Sequence, residues 1–545
     1  MTSKVQRTIL RILTKSGFQI SSDALDYLSN LEFPLEAVES VLNSVEKEDA
    51  PTVLSVEYIH SLIEKVPNTD LSVNETDTDS PHRPPTEHSP DETKPRAEPN
   101  WDYSIDKNPE YDEVGSEGLV DDFLQLFRDR YKSIRRIYSG RIDTQNHISP
   151  SVAKTMKSSA KAERARMREG LRAERRRHQV VLGVVKSKRK SKSQNVIVEI
   201  EDEDGSMSCV VPMNKNGLQG QLLSEKADSL LLDEVVCFSG TVASTGFLIV
   251  DDVIYPDVPT ARAIHAAPRE VYAAFVSDLH CGSQEFLEDA FDRLIDWIGG
   301  RGVSSEDKSK VRNLRYLFIA GDLVDGISVY PGQREHLRIT SNIDQYAFLS
   351  EKIRKLPDRV KIFCIPGNHD ACRQALPRPP VPEEFAEPLY RLGHVEMLGD
   401  PCQLTVEGVK ILMTHGDSLD DMVTNLPGAS YTTPAVPMIE LIKKRHLAPI
   451  YGGKTELAPL RRDWMVIEDI PDVIHFGHAH HNAIDMYRGI KVINSGTFQG
   501  QTDFMRKQGV VPTPAIVTLV NLQTGSVSLR DFLEEHVVPI RRIKG

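Results

Sequence analysis

The sequence predicts an α/β domain over its C-terminal half, preceded by a small β-barrel and a helical head. Three observations carry this. After residue 272, apolar runs of about five residues ("AAFVS", "RYLFIA", "VKIFCI", "VKILMT", "DVIHF", "IKVINS") alternate with helical segments, the pattern of strands buried on both sheet faces. Between 180 and 257, short β-branched runs are broken by polar turns, as in a small barrel. The first 66 residues carry apolar positions at helical spacing.

At 545 residues the chain is too long for one ordinary domain. Residues 1–66 read as a small helical domain, with "VQRTILRILTKSG" and "PLEAVESVLNSVEK" as its helices. Residues 67–117 read as a disordered acidic linker, since "NTDLSVNETDTDSPHRPPTEHSPDETKPRAEPN" holds too few apolar residues to offset its ordering entropy. Residues 118–179 read as a helical and basic connector, from "GLVDDFLQLFRDRYKSIRRIYSGR" to the Lys/Arg run that ends near 179. That run and "KSKRKSK" (186–192) fit either solvated surface or a phosphate-tracking face, because clustered cations release counterions from nucleic acid. Residues 180–262 read as an OB-fold, poor in the aromatics that bind single strands (Phe238, Phe247, Tyr255). Residues 263–545 form the α/β domain.

The net charge of −13 is concentrated in the acidic stretch, so it does not argue against a nucleic-acid partner elsewhere. Six scattered cysteines without a Cys-x-x-Cys pair exclude a zinc ribbon and point to a reducing compartment. No apolar stretch approaches the ~20 residues of a membrane span, and the N-terminus lacks a signal-peptide pattern. The expected location is the cytoplasm, at the nucleoid, with no membrane partner.

Each apolar run of the α/β domain ends in a polar cluster. They are "SDLH" (Asp278, His280), "GDLVDG" (Asp322), "PGNHD" (Asn368, His369, Asp370), "THGDS" (His415) and "GHAHH" (His478, His480). In an extended segment residues i and i+2 share a face, so Asp278 and His280 point together. Such strand ends meet at one sheet edge, the usual ligand position of open α/β sheets. Glycines before Asp322, Asn368 and His478 allow sharp turns and close approach. Oxygen and imidazole donors without thiolate suit Mn²⁺, Fe or Zn²⁺. The candidates exceed the needs of one ion, so two ions sharing Asp322 is the economical arrangement.

The series D-x-H, G-D, G-N-H-D, H-G, G-H-x-H resembles the signature of the calcineurin-like metallophosphoesterases over about 272–531. Within that superfamily the chain is most similar to the small, proofreading subunits of archaeal family D DNA polymerases. The stretches "VYPGQREHLRITSNIDQY", "LIKKRHLAPIYGGKTELAP", "DWMVIEDIPDVIHFGHAH" and "NSGTFQGQTDFMRKQGVVPTPA" carry that closer match, and the order of head, linker, barrel and phosphoesterase agrees with it. The resemblance implies a phosphoesterase β-sandwich flanked by helices. It implies two divalent ions, Mn²⁺ foremost with Mg²⁺, Fe or Zn²⁺ as alternatives. Asp278, His280, Asp322 and His480 would hold one ion; Asp322, Asn368, His415 and His478 the other. His369 would contact the scissile phosphate and Asp370 would orient His369. The implied activity is a metal-dependent 3′→5′ DNA exonuclease within a DNA-directed DNA polymerase. Its implied partners are a large catalytic subunit, single-stranded or mismatched DNA 3′ ends, and other replisome factors. The eukaryotic replicative B-subunits look similar but have lost these ligands. A silent scaffold and a stand-alone metallophosphatase or phosphodiesterase remain the alternatives.

Several features read as bland. "YGGKT" (451–455) imitates a P-loop end but has Ala448 where Gly is required. His446, His475 and His481 read as supporting or surface groups, Asp325 and Asp417 as capping or orienting groups, and Cys281 as packing. Segments 441–446 and 532–537 are candidate contacts for a large subunit.

Overall fold

The computed structural model describes residues 101–156, 178–213, 217–243, 245–534 and 537–540, with Gln6, Ile9, 19–20, 22–29 and 53–54 of the N-terminal part. The chain divides into two units, Met1–Arg96 and Ala97–Gly545. In the first, a helix over Ser22–Ser29 buries Ala24 and Leu28, and Gln19–Ile20 pairs in parallel with Val53–Leu54. The stretches at 34–47 and 68–100, the basic run at 157–177, and all but Gln6 and Ile9 of the first expected helix lie outside the described residues.

The linker expected over 67–117 ends too late. Strand β1 (Tyr103–Lys107) joins the edge of a sheet of the C-terminal α/β domain, antiparallel to residues 403–406. Aromatic packing outweighs the acidic flanks: the Tyr103 ring meets Phe363 edge-on at 5.1 Å, and the Lys361 ammonium lies 5.3 Å from the Trp101 and Tyr103 rings. Helix α1 (Val120–Ser139) follows, its Asp122 carboxylate accepting from the Leu119 N–H. It buries Leu126, Arg130, Ile134 and Tyr138, one face at i+4 spacing.

Strands β2 (Gln179–Lys190), β3 (Val196–Asp202), β4 (Gly205–Val211), β5 (Val235–Val242) and β6 (Leu248–Ile254) close a barrel in the order β2-β3-β4-β6-β5, with α2 (Leu218–Asp228) between β4 and β5. This closed five-stranded barrel is OB-like. Its core holds Val181, Val185, Val198, Ile200, Cys209, Phe238 and Val250. At Gly240 a Cβ would lie 2.2 Å from the Ile249 carbonyl oxygen, so only glycine fits where β5 shifts register against β6. "KSKRK" continues β2 rather than forming a loop. Its lysines are matched within the barrel: Lys186 to Glu201 (2.7 Å), Lys188 to the carbonyls of Asp228 and Leu230 (2.7 and 3.0 Å), and Lys190 to Asp228 (3.8 Å). These three are spent on their own fold.

The remainder is a two-sheet sandwich. Its strands are β7 (Tyr272–Val276), β8 (Leu314–Ala320), β9 (Lys361–Ile365), β10 (Val395–Met397), β11 (Cys402–Val406), β12 (Val409–Met413), β13 (Val473–Phe476), β14 (Asn482–Tyr487), β15 (Ile490–Ser495), β16 (Ile516–Asn521), β17 (Val527–Asp531) and β18 (Val538–Ile540). One sheet runs β10-β9-β8-β7-β16-β17-β18, parallel from β10 to β7; the other runs β14-β15-β13-β12-β11-β1. Between them lies a core of Phe275, Phe318, Phe363, Leu404, Ile411, Met413 and Ile493. The stacked rings of Phe275 and Phe318 (5.0 Å), then Phe318 and Phe363 (5.2 Å), fix the register of the three central strands. Helices α3 (Glu288–Ile298) and α4 (Asn342–Ile353) cover the outer face of the first sheet; α5 (Leu419–Asn425) and α6 (Ala435–Lys444) pack on the second. Both sheets are therefore buried on two faces, as continuous apolar strands require.

Barrel and sandwich are joined by buried charge. Arg130 reaches Asp463 (2.6 Å) and the carbonyls of Pro449 and Asp233 (2.6 and 3.1 Å). Lys444 reaches Glu234 (2.9 Å) and the Ser229 carbonyl (2.9 Å). Five of the six residues at 441–446, read above as a free contact surface, are buried. Leu441 and Ile442 share a core cluster with Leu231 and Val258 of the barrel side. Phe532 is likewise core, and in that segment Leu533 is 46% exposed.

Candidate metal centre

The polar ends of β7, β8, β9, β12 and β13 meet at one edge of the sandwich. Asp278, His280, Asp322, His478 and His480 all have φ between 49° and 64°, a left-handed region that costs a non-glycine residue of order 1 kcal/mol or more. Five such residues in one place are held there by what surrounds them. The glycines before these motifs are packing requirements: a Cβ on Gly367 would lie 2.2 Å from Asp322 Oδ1, and one on Gly477 2.5 Å from Asp278 Oδ2.

Asp278, His280, Asp322 and His480 are buried and offer ligand atoms all within 4.8 Å of one another. His280 Nε2 lies 3.1 Å from His480 Nε2, and His480 Nε2 lies 3.3 Å from Asp278 Oδ1. Beside this group, His415 Nε2 is 3.0 Å from Asn368 Oδ1, which is 3.2 Å from His478 Nδ1. Asp322 Oδ2 stands between the two groups, 3.5 Å from His280 Nε2 and 3.4 Å from His415 Nε2. The sequence-expected residues Asp278, His280, Asp322, Asn368, His415, His478 and His480 are thus brought together around one shared carboxylate.

The outward nitrogens fix which atoms face inward. His280 Nδ1 donates to Asp325 Oδ1 (3.0 Å), His415 Nδ1 to the Ala320 carbonyl (2.9 Å), and His478 Nε2 to Asp420 Oδ1 (3.0 Å). Each ring's other nitrogen then presents a lone pair to the centre, the arrangement of metal-binding imidazoles. With these rings neutral, lone pairs and carboxylates converge on one space, a set that a divalent cation would satisfy and that bound protons satisfy without one. Electrostatics agree. Burial pulls the His280 imidazole down, but Asp325, Asp322 and Asp278 outweigh it and push it up to about 9. His415 is also held well above the ordinary imidazole range, against its burial, chiefly by Asp322. Asp322 is held well below the carboxylate range despite burial, chiefly by His415 and His369. The pocket attracts positive charge.

Asp370 does not orient His369. Its carboxylate accepts from the N–H groups of Gly367 (2.8 Å) and Leu323 (3.1 Å) and from the Tyr346 hydroxyl (2.7 Å). It ties the β8 and β9 loops together, and burial, then the Asp322 charge, pushes it up to about 6. The residue that orients His369 is Asp325, whose carbonyl accepts from His369 Nδ1 at 2.7 Å. Nε2 of His369 is left for the cavity that the ring lines.

Sequence reasoning missed Asp420, although "THGDSLDD" offers it five residues after His415. It also missed Tyr330, Tyr431, Lys454 and Gln499, which line a cavity of about 700 Å³ over the centre. Tyr431 donates to Asp420 Oδ1 at 2.8 Å. Asp417 pairs with buried Arg378 (2.8 and 2.7 Å), and His446 belongs to the Arg130 joint. His475 is buried beside Ser495, and Cys281 packs in the core with its thiol pushed up by burial. The "GGKT" turn wraps the Asp421 carboxylate, not a nucleotide: Lys454 N and Thr455 N donate to it at 2.7 and 2.9 Å.

Residues 273–484 match the family of the DNA polymerase alpha/epsilon B-subunits. The chain is 36% identical over 416 residues to the DNA polymerase II small subunit of Pyrococcus furiosus, covering 76% of this chain and 64% of that one. It is 32% identical to the DNA polymerase II small subunit of Halobacterium salinarum over 96% of this chain and 98% of the relative. The match therefore spans less than two thirds of the length of the Pyrococcus relative and nearly all of the Halobacterium one. Among solved structures, an archaeal phosphodiesterase aligns with 50% of this chain and 100% of its own, at 13% identity and a TM-score of 0.24. Among the described residues, no helix is long and apolar enough to cross a membrane.

Proposed function

The chain belongs to the family of archaeal DNA polymerase II small subunits, and we propose that it is the 3′→5′ exonuclease of a two-subunit replicative polymerase. The observation that carries this reading is the convergence of six metal-type ligands around a seventh, Asp322, with every outward imidazole nitrogen but that of His480 held by an acceptor. A scaffold has no use for five residues in left-handed backbone around a buried cluster of imidazoles and carboxylates.

Asp278, His280, Asp322 and His480 would hold one divalent ion; Asp322, Asn368, His415 and His478 the other, with Mn²⁺ foremost. When bound, such a pair lowers the pKa of water and neutralises charge on a phosphodiester. The chain's own residues do the rest. Asp325, through its carboxylate and carbonyl, fixes both His280 and His369. His369, with Nδ1 committed to that carbonyl, keeps Nε2 for the phosphate or the departing 3′-oxygen. Tyr330 and Tyr431 offer aromatic faces in the cavity, suited to an unstacked terminal base. A large catalytic subunit is the partner from which a 3′ end would arrive.

The test is the protein with Mn²⁺ and a labelled DNA strand. A 5′ label should give a descending ladder and a 3′ label should release mononucleotide first. First release from the 5′ end contradicts the editing reading. His369→Ala should keep bound metal while losing roughly 10²–10⁴-fold in turnover; collapse of metal content would make His369 a ligand instead.

A further inference from the structure

We infer that Lys454 binds a second phosphate of the substrate strand, next to the one cleaved. This rests on the nuclease reading above and adds the chemical class of its substrate: a strand with consecutive phosphates rather than a lone phosphoester.

Lys454 is the single Lys or Arg among the described residues lining the cavity, whose other charged walls include Asp322, Asp325 and Asp420. A polyanion entering this acidic space meets one lysine ammonium, and a focused positive charge in a cleft raises both affinity and capture. Lys454 is exposed, and no hydrogen bond or ion pair to its Nζ occurs among the described residues.

The position of Lys454 is built. Its backbone N–H and that of Thr455 close on the two oxygens of Asp421. A Cβ on Gly453 would lie 2.3 Å from Asp421 Oδ1, so the turn cannot accept a larger residue without giving up that grip. The neighbouring carboxylate, Asp420, holds His478 Nε2 at 3.0 Å. Consecutive carboxylates in the first turn of α5 therefore register the lysine against a metal-ligand histidine. Tyr431 tightens this through its bond to Asp420. The P-loop look of "GGKT" has a physical source: successive N–H groups wrap a carboxylate as they elsewhere wrap a phosphate, and the lysine is left for the ligand.

The experiment measures anisotropy of a short, labelled single-stranded DNA on the full chain, with Ca²⁺ replacing Mn²⁺ to suppress cutting. Lys454→Met should raise Kd about tenfold, as expected for loss of one charge-assisted contact. The slope of log affinity against log salt should fall by about 0.7, one phosphate on a single strand. Lys454→Arg should retain most of both. With Mn²⁺, the loss in kcat/KM should be about tenfold greater for the strand than for bis(p-nitrophenyl) phosphate, which has one phosphate, and should lie in KM. Native affinity and salt slope in the Met variant overturn the inference, as does a native chain that binds no strand. A native chain that binds through Lys454 yet cuts neither substrate removes the nuclease reading and leaves only the strand-phosphate contact of Lys454 standing.

Discussion

Among the described residues, the buried histidine–carboxylate cluster at the joint of barrel and sandwich and the one at the sheet edge are opposites. At the joint of barrel and sandwich, Arg130, Asp463 and His446 close on one another. Arg130 Nε donates to Asp463 Oδ2, His446 Nε2 donates to the same oxygen at 2.9 Å, and His446 Nδ1 accepts from the Ala448 N–H at 3.1 Å. Donors meet acceptors here, Arg130 Nη2 excepted. At the sheet edge, His280 Nε2 faces His480 Nε2 and Asp322 Oδ2, groups that meet through their lone pairs once a cation takes the place of protons among them. Burial alone does not separate a structural from a functional cluster; the direction of the hydrogens does. A closed network rigidifies the fold, whereas an open one needs something that the chain does not supply.

This contrast can be broken by exchanging the expected outcomes. Asp322→Ala removes the carboxylate common to both halves of the centre. It should abolish hydrolysis, by at least the ~10²–10³-fold that one lost charge-stabilising group costs, while the variant stays folded. Full activity in a folded, metal-loaded variant would sink the shared-ligand assignment. Arg130→Met should do the reverse. Asp463 is left buried without its cation, so denaturant melts should lose about 3–5 kcal/mol, while the folded fraction keeps its turnover.

Asp420→Ala sharpens the comparison at a smaller scale. It frees His478 Nε2 without touching a proposed ligand atom, so Mn²⁺ affinity measured by calorimetry should fall about 10–100-fold. Unchanged affinity would mean that Asn368 and His415 suffice to place that ring. The smallest effect is pH-dependent. Burial, reinforced by the Arg130 charge, outweighs Asp463 and pulls the His446 imidazole down to about 4. The folded state therefore takes up a proton at lower pH than the unfolded state, whose histidine titrates near 6.5. Stability is fully present above that value and is lost as pH falls from 6.5 toward 4, by about 1 kcal/mol between pH 7 and 5.5. His446→Gln should flatten this slope in pH-resolved melts; an equally steep slope assigns it to other groups.

The metal-type ligands were legible in the sequence because each follows an apolar run and a turn, where a polar residue has no packing role. Asp370 was misread because the string "GNHD" places it beside His369, while the fold turns its carboxylate onto the Gly367 and Leu323 amides and the Tyr346 hydroxyl. Asp325 was read as a capping or orienting group without its partners, and Asp420 sits in the first turn of α5, where nothing in its spacing distinguishes an orienting carboxylate from a solvated one. β1 was hidden by the acidity of its neighbours, although Trp101 and Tyr103 within three residues mark a segment that packs.

By itself the sequence determined an α/β domain, the barrel and a set of candidate ligands at strand ends, whereas the two-sheet sandwich came only with the family resemblance. The first three follow from local periodicity and from polar residues placed where strands end, and both are properties of short stretches. Tertiary structure alone decided what holds the ligands and what joins the domains. Arg130 meets Asp463 across 333 residues, and His280 meets His480 across 200. A hydrogen bond is a distance and a direction between two atoms, and no pattern in one stretch of chain records where a distant stretch will put its partner.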